Sequence, residues 1–312
     1  MRALVTGGAG LVGSSIIDEL LMEGVEVVSL DNYSAGKMEN LRKARDFDSF
    51  TEVTGDIRDN DCLERIFADG YDWIFHEAVS KNTICMIDPH SDLTINAGGT
   101  LKLLQHAKRV NVQKFIHAST GSVYGHVSKY PTLETDPLCP VSFYGNSKLA
   151  AENYVRLFNE MFGLPTVILR YFHVYGSRQD NGDFGGVIPL FIRKALQNET
   201  IYVTGDGRQL RAFTHVSDIA KINMKVLKST KSGEIYNCAS DSRVEIKELA
   251  EKVLQLIPSS RSQIKHVPDR LGDIYKFDIS NEKLKTEIGF SNFTSFEDGL
   301  LKTLREMEIS YI

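Results

Sequence analysis

Cysteine is scarce in this chain and is never closely paired. The 312 residues include four cysteines, at positions 62, 85, 139 and 238, with no CxxC spacing among them. Such a pattern excludes a disulfide scaffold and is typical of a reducing compartment. Apolar runs stay well short of the roughly 18 residues of a membrane span, and no signal-peptide cleavage site follows Met1. We therefore expect a cytoplasmic protein.

Net charge is small as well. The chain has 36 Lys and Arg residues against 41 Asp and Glu residues, a formal charge of −5. A mildly acidic protein lacks the basic surface that nucleic acid or an anionic membrane requires, so we expect neither as a partner. We predict no metal site, because a chain of this length can bury a sufficient core without one. An anionic ligand would be held by a few local cations.

Strand and helix patterns alternate through the first 170 residues. Apolar runs separated by amphipathic helices favour a parallel sheet covered on both faces, which is the doubly wound α/β (Rossmann) plan. Strands are predicted at 2–6, 25–30, 50–54, 73–77, 114–118 and 166–171, with helices at 11–23, 100–110 and 143–162.

The pattern changes after about residue 172. Helices are predicted at 188–197, 217–228, 246–256 and 295–308, and a strand at 234–239 that could return to the first sheet. We expect residues 1–171, with a returning segment around 212–239, to form one domain, and 172–312 to form a smaller C-terminal α/β lobe.

Three glycines at intervals of three follow the first strand: Gly7, Gly10 and Gly13. Gly7 permits a tight turn, Gly10 lets a pyrophosphate approach the backbone, and Gly13 lets helix and strand pack closely. The helix start, at Leu11 and Val12, offers free N–H groups to the phosphates. The alternative is a tight turn that binds nothing.

Acidic residues follow the second and third predicted strands. Asp31 lies 18 residues after Gly13, where a carboxylate binds the adenosine ribose and repels a 2′-phosphate. This favours NAD over NADP, although a solvated turn residue is the alternative. Asp56 and Ile57 are predicted adenine contacts, with a helix N-cap at Asp56 as the alternative.

Tyr144 and Lys148 are four residues apart near the start of a predicted helix that Ser142 can cap. A free tyrosine titrates near pH ~10, but an ammonium and the positive nicotinamide of NAD⁺ lower that pKa. Tyr144 could then take a proton from a sugar hydroxyl, and a hydroxyl of the segment 118–125 could donate to the same oxygen and share its proton with Tyr144. The alternatives are an exposed helix face for the pair and a polar strand-to-loop transition for the segment.

Several blocks occur together in order: VTGGAGLVGSS, HASTGSVYG, SFYGNSKLAAENY, LRYFHVYGSRQ, GDGRQLRAFTHVSDI and DRLGDI. With them the chain resembles the extended short-chain dehydrogenase/reductases, and more narrowly the NAD-dependent sugar-nucleotide epimerase/dehydratase family. The resemblance implies an NAD-binding domain at 1–171 and a nucleotide-sugar-binding lobe at 172–312.

The resemblance also implies residue roles by position. The implied catalytic residues are Thr120, Tyr144 and Lys148. The implied cofactor contacts are Gly7, Gly10, Leu11, Val12, Gly13, Asp31, Asn32, Ser34, Gly36, Asp56, Ile57, Lys81, Asn96, Tyr144 and Lys148. The implied substrate contacts are Lys81, Thr120, His173, Val187, Arg211, Arg270, Asp273 and Phe277. Two of these, Arg211 and Arg270, match arginines that bind the nucleotide-sugar diphosphate.

Some positions depart from the family pattern. Gly121 and Ser122 stand where 4,6-dehydratases carry an Asp–Glu pair, so elimination of water lacks its acid and base. His173 replaces the usual Asn of RYFN, and the run 76–79 reads HEAV in place of HLAA, which predicts a reshaped loop near the sugar. By the resemblance, Phe277 stands four residues past Asp273 at a site that gates sugar size in 4-epimerases, and a bulky ring there implies a plain hexose over an N-acetylhexosamine.

The leading hypothesis is a nucleotide-sugar 4-epimerase of the UDP-glucose/UDP-galactose type with tightly held NAD. The alternatives are an epimerase of a uronate or N-acetylhexosamine, a 4-keto-sugar reductase, and a non-catalytic dinucleotide sensor. Apolar residues on more than one face of helices 100–110 and 143–162 predict a paired-helix homodimer, unless both faces are buried within one chain.

Overall fold

A parallel sheet of seven strands forms the centre of the computed structural model, which describes residues 1–80, 85–127, 129–180, 182, 185–268, 276 and 278–311. The strands of this described part are β1 (Arg2–Thr6), β2 (Glu26–Asp31), β3 (Phe50–Thr54), β4 (Trp73–His76), β5 (Lys114–Thr120), β6 (Thr166–Tyr171), β7 (Val174–Tyr175), β8 (Ile201–Thr204), β9 (Leu210–Arg211), β10 (Thr214–His215), β11 (Glu234–Cys238), β12 (Val244–Glu245) and β13 (Ile264–Val267).

The sheet order is β11-β6-β5-β4-β1-β2-β3, and every neighbouring pair is parallel. The chain moves outward in one direction from β1 to β3 and in the other from β4 to β11. The direction of winding therefore reverses between β1 and β4, which opens a crevice at the carboxyl edge of the sheet. The predicted doubly wound fold is confirmed.

Helices cover both faces of this sheet. They are α1 (Leu11–Met22), α2 (Asn60–Ile66), α3 (Pro89–Leu93), α4 (Thr100–Arg109), α5 (Phe143–Phe162), α6 (Val187–Leu196), α7 (Val216–Lys228), α8 (Ile246–Leu256), α9 (Glu282–Ile288) and α10 (Phe296–Tyr311). A π-helical turn (Thr94–Gly99) joins α3 to α4, and short 3₁₀ turns lie at Met38–Leu41, Ala44–Asp46 and Gly121–Val123.

Successive residues of each central strand point into different cores. In β1, Ala3 and Val5 pack with α1 and α7, whereas Leu4 packs with α2, α4 and α5 on the other face. All three are fully buried. A strand that is covered on both sides needs apolar residues at every position, which is why its sequence shows a continuous run.

The differences from the predicted elements lie in short segments. The strand predicted at 234–239 is β11, which pairs with β6 at the edge of the sheet. The fifth strand continues to Thr120, two residues beyond its predicted end, so Thr120 belongs to the sheet edge. The short helices α2, α3 and α9 and the pairs β7·β10, β8·β13 and β9·β12 were not predicted.

A separate apolar cluster lies among α6, α8 and α10 and includes the buried residues Ile192, Val253 and Leu300. It gives the C-terminal part its own core. None of the helices in the described ranges is both long enough and apolar enough to cross a membrane.

Candidate active site

The glycine turn after β1 leaves no room for side chains. Gly7 has a φ of +67°, and a Cβ built on it would lie 2.6 Å from the backbone nitrogen of Ala78. A Cβ on Gly13 would lie 2.3 Å from the Gly7 carbonyl oxygen. Gly10 precedes α1 with an extended backbone and no side-chain cap. The first N–H groups of α1 are thus not capped by a side chain, and the glycine backbone beside them lets a phosphate approach closely.

Asp31 closes this turn from the end of β2. Its carboxylate accepts hydrogen bonds from the backbone N–H of Ala9 at 2.9 Å and of Tyr33 at 2.8 Å. Burial raises its pKa, and these bonds act in the opposite direction. The carboxylate is therefore fixed in place beside the glycine turn.

A cavity at the carboxyl edge, which we call the first-turn cavity, joins these groups. It contains about 570 Å³ of empty space, part of it open to solvent. Eight of the predicted cofactor contacts line it: Gly7, Gly10, Asp31, Asn32, Ser34, Gly36, Asp56 and Ile57. The other lining residues are Leu30, Ala35, Gly55, Glu77, Ala78, Val79 and Ile95. Leu11, Val12 and Gly13 form the first turn of α1 beside this cavity without lining it.

Asp56 is held on the rim of the cavity. It accepts a hydrogen bond from Asn32 Nδ2 at 2.8 Å and two from Arg58, at 2.9 and 2.8 Å. The Arg58 side chain lowers the pKa of Asp56 to about 2. The N-cap of α2 is Asp59, which accepts from two backbone N–H groups of that helix, so the helix-cap alternative for Asp56 is wrong.

Thr120, Tyr144 and Lys148 lie together at the ends of β5 and α5. The predicted cap is present, since Ser142 Oγ accepts from the Gly145 N–H at 3.0 Å. The Thr120 side chain is near enough to the Tyr144 phenol to act on its pKa as a hydrogen-bond donor. Lys148 is 3% exposed and donates from Nζ to the Ala118 carbonyl at 2.6 Å, two residues before Thr120 on β5.

Burial dominates the proton affinities of this group. It raises the pKa of Tyr144 to about 12, and the Thr120 hydrogen bond acts in the opposite direction. It lowers the pKa of Lys148 to about 8, against the pull of Glu77, Glu152 and Asp92. The lowered tyrosine pKa that the sequence predicts is thus not a property of the protein alone, and it depends on a cationic ligand beside the phenol.

Asn96 supports this site from the π-helical turn. Its Nδ2 donates to Asp92 Oδ1 at 3.0 Å and to Ser147 Oγ at 2.9 Å, and its Oδ1 accepts from the Ser80 N–H at 2.9 Å. The side chain, predicted as a cofactor contact, joins α3 to α5 immediately before the lysine.

A buried network of hydrogen bonds begins at Ser119, the residue before Thr120. Arg170 binds both carboxylate oxygens of Glu152, at 3.0 and 2.7 Å, and Ser119 donates to the same carboxylate at 2.5 Å. Arg170 also donates to the Tyr124 hydroxyl, which donates to Asn237 Oδ1, both at 2.7 Å. This network joins β5, β6, α5 and β11.

The predicted substrate contacts are only partly visible. Arg211 is 7% exposed and donates to the Leu210 carbonyl at 3.0 Å. Burial first, and the Arg211 charge second, lower the pKa of His173 to about 3, so this imidazole is neutral. Val187 begins α6 and packs on the C-terminal cluster. Lys81, Arg270, Asp273 and Phe277 lie outside the described residues.

Glu77 was not predicted as a site residue. It follows β4, lines the first-turn cavity, and accepts a hydrogen bond from the Tyr171 hydroxyl at 3.0 Å. Burial raises its pKa to about 7. An acidic residue directly after a buried strand, at the edge where ligands bind, was the available signal.

Comparison with known proteins identifies the family. The model of the NAD dependent epimerase/dehydratase family matches residues 3–239. The chain belongs to this family. The predicted resemblance is thereby confirmed, and so is NAD as the cofactor of the family.

Similar proteins carry more than one activity. The chain is 32% identical over 312 residues to a dTDP-glucose 4,6-dehydratase of Streptomyces niveus, with 97% of this chain and 92% of the relative covered. A UDP-glucose 4-epimerase of Thermotoga maritima, solved with UDP-glucose, is 32% identical with a TM-score of 0.94, and both chains are covered fully. A UDP-N-acetylglucosamine 4-epimerase of Methanobrevibacter ruminantium, solved with UDP-N-acetylmuramic acid, is 33% identical with a TM-score of 0.93, covering 100% and 99%.

The first-turn cavity fits the dinucleotide of this family. Gly7 and Gly13 let the turn pack directly against the Ala78 backbone and the Gly7 carbonyl, and the turn leads into the uncapped start of α1. Asp31 stands at the end of β2, where an NAD ribose is bound in Rossmann folds. Tyr144 and Lys148 lie on α5, the helix that joins β5 to β6 on the other side of the reversal of winding.

Proposed function

We propose that the protein is an NAD-dependent 4-epimerase of a nucleotide sugar of the UDP-glucose/UDP-galactose type. The observation that carries the proposal is the Tyr144 phenol near Thr120, with the buried Lys148 of the same helix bound to the Ala118 carbonyl of the strand that carries Thr120. The residues after Thr120 are Gly121 and Ser122, neither of which is an acid. The site holds one proton acceptor for a sugar hydroxyl and lacks, at these positions, the carboxyl pair that loss of water requires.

The residues would divide the reaction among them. The first-turn cavity would hold NAD, which would supply hydride-transfer chemistry next to the sugar. Tyr144 takes the proton of the C4 hydroxyl and gives it back after the 4-keto sugar has turned over. Thr120 hydrogen-bonds the phenol and the substrate oxygen, so that the proton has a short path. Lys148 stabilises the phenolate with its positive charge.

The C-terminal part would hold the nucleotide. Arg211, with Arg270, would bind the diphosphate through charge-assisted hydrogen bonds. We keep the division into an NAD-binding domain at 1–171, with the returning segment around 212–239, and a nucleotide-sugar-binding lobe at 172–312. UDP is supported by the UDP-glucose that the Thermotoga maritima structure carries.

We also propose a homodimer through α5. The apolar residues Phe143, Tyr154, Leu157 and Met161 are 52%, 38%, 37% and 67% exposed and recur at intervals close to a helical repeat. A second copy of the same stripe would bury them. A monomeric mass in solution would refute this assembly.

The test is an NMR time course of the purified protein with UDP-galactose and no added cofactor. Conversion to a mixture with UDP-glucose is the expected result, because an epimerase regenerates its own NAD. A 4-keto sugar released only with added NAD⁺, with one NADH formed for each sugar oxidised, would indicate a net oxidoreductase and refute the proposal. Failure with UDP-galactose but conversion of a uronate or N-acetyl sugar would refute the hexose assignment alone.

A further inference from the structure

Glu77 lies between the glycine turn and the catalytic residues. Its preceding residue, His76, is in register with Thr6 of β1 on one side and with His117 of β5 on the other. Glu77 and Ala118 are therefore the next residues on neighbouring parallel strands. Since the Ala118 carbonyl accepts a hydrogen bond from Lys148 Nζ at 2.6 Å, the lysine of α5 reaches the strand position next to Glu77.

Neutral groups hold the Glu77 carboxylate. The Tyr171 hydroxyl donates to it at 3.0 Å, and Asn223 Nδ2 of α7 donates to the Tyr171 oxygen at 2.9 Å. Burial keeps Tyr171 a neutral phenol, because it raises the pKa well above the ordinary value. Such bonds orient the carboxylate without cancelling its charge, so the charge acts on what lies nearby.

The other charged groups around Lys148 act more weakly. Glu152 also raises the pKa of Lys148, but Arg170 binds both its oxygens and opposes its field. Asp92 of α3 acts in the same direction and least of the three. The histidines of β4 and β5, at 76 and 117, are kept neutral by burial, which holds their pKa well below the ordinary value.

We propose that Glu77 is a positioning residue for Lys148, holding the buried lysine in its cationic form from the adjacent strand end. The inference rests on the proposed role of Lys148 in the reaction. Burial favours the neutral amine, and a neutral amine cannot stabilise the Tyr144 phenolate. The Glu77 charge counters that effect at the one place where the cation is needed.

The pH range of this effect follows from the two groups. The pKa of Glu77 is raised to about 7, so its charge develops as the pH rises through neutrality. The pKa of Lys148 is lowered to about 8, so the lysine begins to lose its proton just above that range. The carboxylate is therefore present where the lysine most needs it.

The decisive measurement is the titration of Lys148 itself. Protein labelled with ¹³C at lysine Cε is followed by NMR from about pH 6 to about pH 10, and the Lys148 signal is assigned by its loss in Lys148→Met. Glu77→Gln keeps the size of the side chain and an oxygen for Tyr171, and it removes the charge. We expect the Lys148 midpoint to fall by roughly one pH unit or more. An unchanged midpoint in folded Glu77→Gln protein would overturn the proposal.

A matched control separates local from overall charge. Glu160→Gln makes the same change in net charge on α5, at an exposed residue that pairs with Arg156 at 2.7 Å. We expect its Lys148 midpoint to match the wild type, and an equal shift in both variants would refute a local effect. Turnover of Glu77→Gln should fall more at pH ~8 than at pH ~6.5, following the loss of the cation. If the wild type epimerises no sugar, the proposed function fails while the titration still decides the role of Glu77.

Discussion

The two halves of the sheet edge are built by different means. At β1–β3, the turn beside the cavity is packed backbone to backbone through glycines, and the Asp56–Arg58 ion pair on the rim is partly open to solvent. At β4–β6, the site rests on buried charges, with Arg170 and Glu152 at 1% and 4% side-chain exposure. A dinucleotide has the same phosphates and riboses throughout a reaction, so backbone groups in fixed positions suffice to bind it. Proton transfer requires side chains whose pKa values are shifted by nearby charges. Burial strengthens the interaction between such charges, because the protein interior screens them less than water does.

The catalytic half gives the largest expected effect. Tyr144→Phe removes the hydroxyl that bonds Thr120 and leaves the ring in place. We expect turnover to fall by roughly a hundredfold to ten-thousandfold, the usual contribution of a general acid and base. Bound NAD should stay at the wild-type level, because Tyr144 does not line the first-turn cavity. Turnover by NMR and the NAD released on denaturation measure both; near-normal turnover would sink the mechanism.

The next effect concerns stability. Arg170→Met leaves Glu152 buried without its cation, which we expect to cost about 3–5 kcal/mol in the free energy of unfolding. Urea denaturation measures this. The double variant Glu152→Met with Arg170→Met removes both charges and should recover much of the loss. A double variant as unstable as the single one would show that shape, rather than charge, governs this region.

A smaller effect is expected at the glycine turn. Gly7→Ala and Gly24→Ala both force alanine into a left-handed backbone, with φ of +67° and +75°, at about 1–2 kcal/mol each. A Cβ at Gly24 has nothing within 4 Å, whereas one at Gly7 meets the backbone of Ala78 at 2.6 Å. We therefore expect Gly7→Ala to be the less stable by urea denaturation and alone to lose NAD on purification. Equal stability and equal NAD content would contradict the backbone account of this cavity.

The same contrast explains what the sequence could predict. Gly7, Gly10, Gly13 and Asp31 were predicted because their roles depend on local spacing after a strand. The Tyr144 and Lys148 pair lies on one helix and was predicted for the same reason. Glu77 and Tyr171 are 94 residues apart, and no periodicity indicates their hydrogen bond.

The pKa values of the buried groups could not be predicted from the sequence either. The spacing of Tyr144 and Lys148 predicted a lowered tyrosine pKa, but burial, which raises it, depends on the folded surroundings. Strands of two residues, such as β7 and β10, show no pattern of their own and form only because β6 and α7 bring them together.

The smallest expected change in the free energy of unfolding is at Arg58, where the substitution made at Arg170 can be repeated in the β1–β3 half of the edge. Arg58 binds both oxygens of Asp56, as Arg170 binds those of Glu152, but its side chain is 41% exposed. Water and salt screen this pair, so Arg58→Met should cost less than about 1 kcal/mol. The pKa of Asp56 is lowered to about 2, below its unfolded value, so the contribution is present above pH ~4 and lost as the pH falls through about 2.

Wild type and Arg58→Met should therefore differ slightly in urea at pH ~7 and converge near pH ~2. A loss as large as that of Arg170→Met would mean that the rim of the cavity carries tuned charges too. The two halves of the edge would then differ in burial alone, and the backbone would no longer suffice to explain how the first-turn cavity is held.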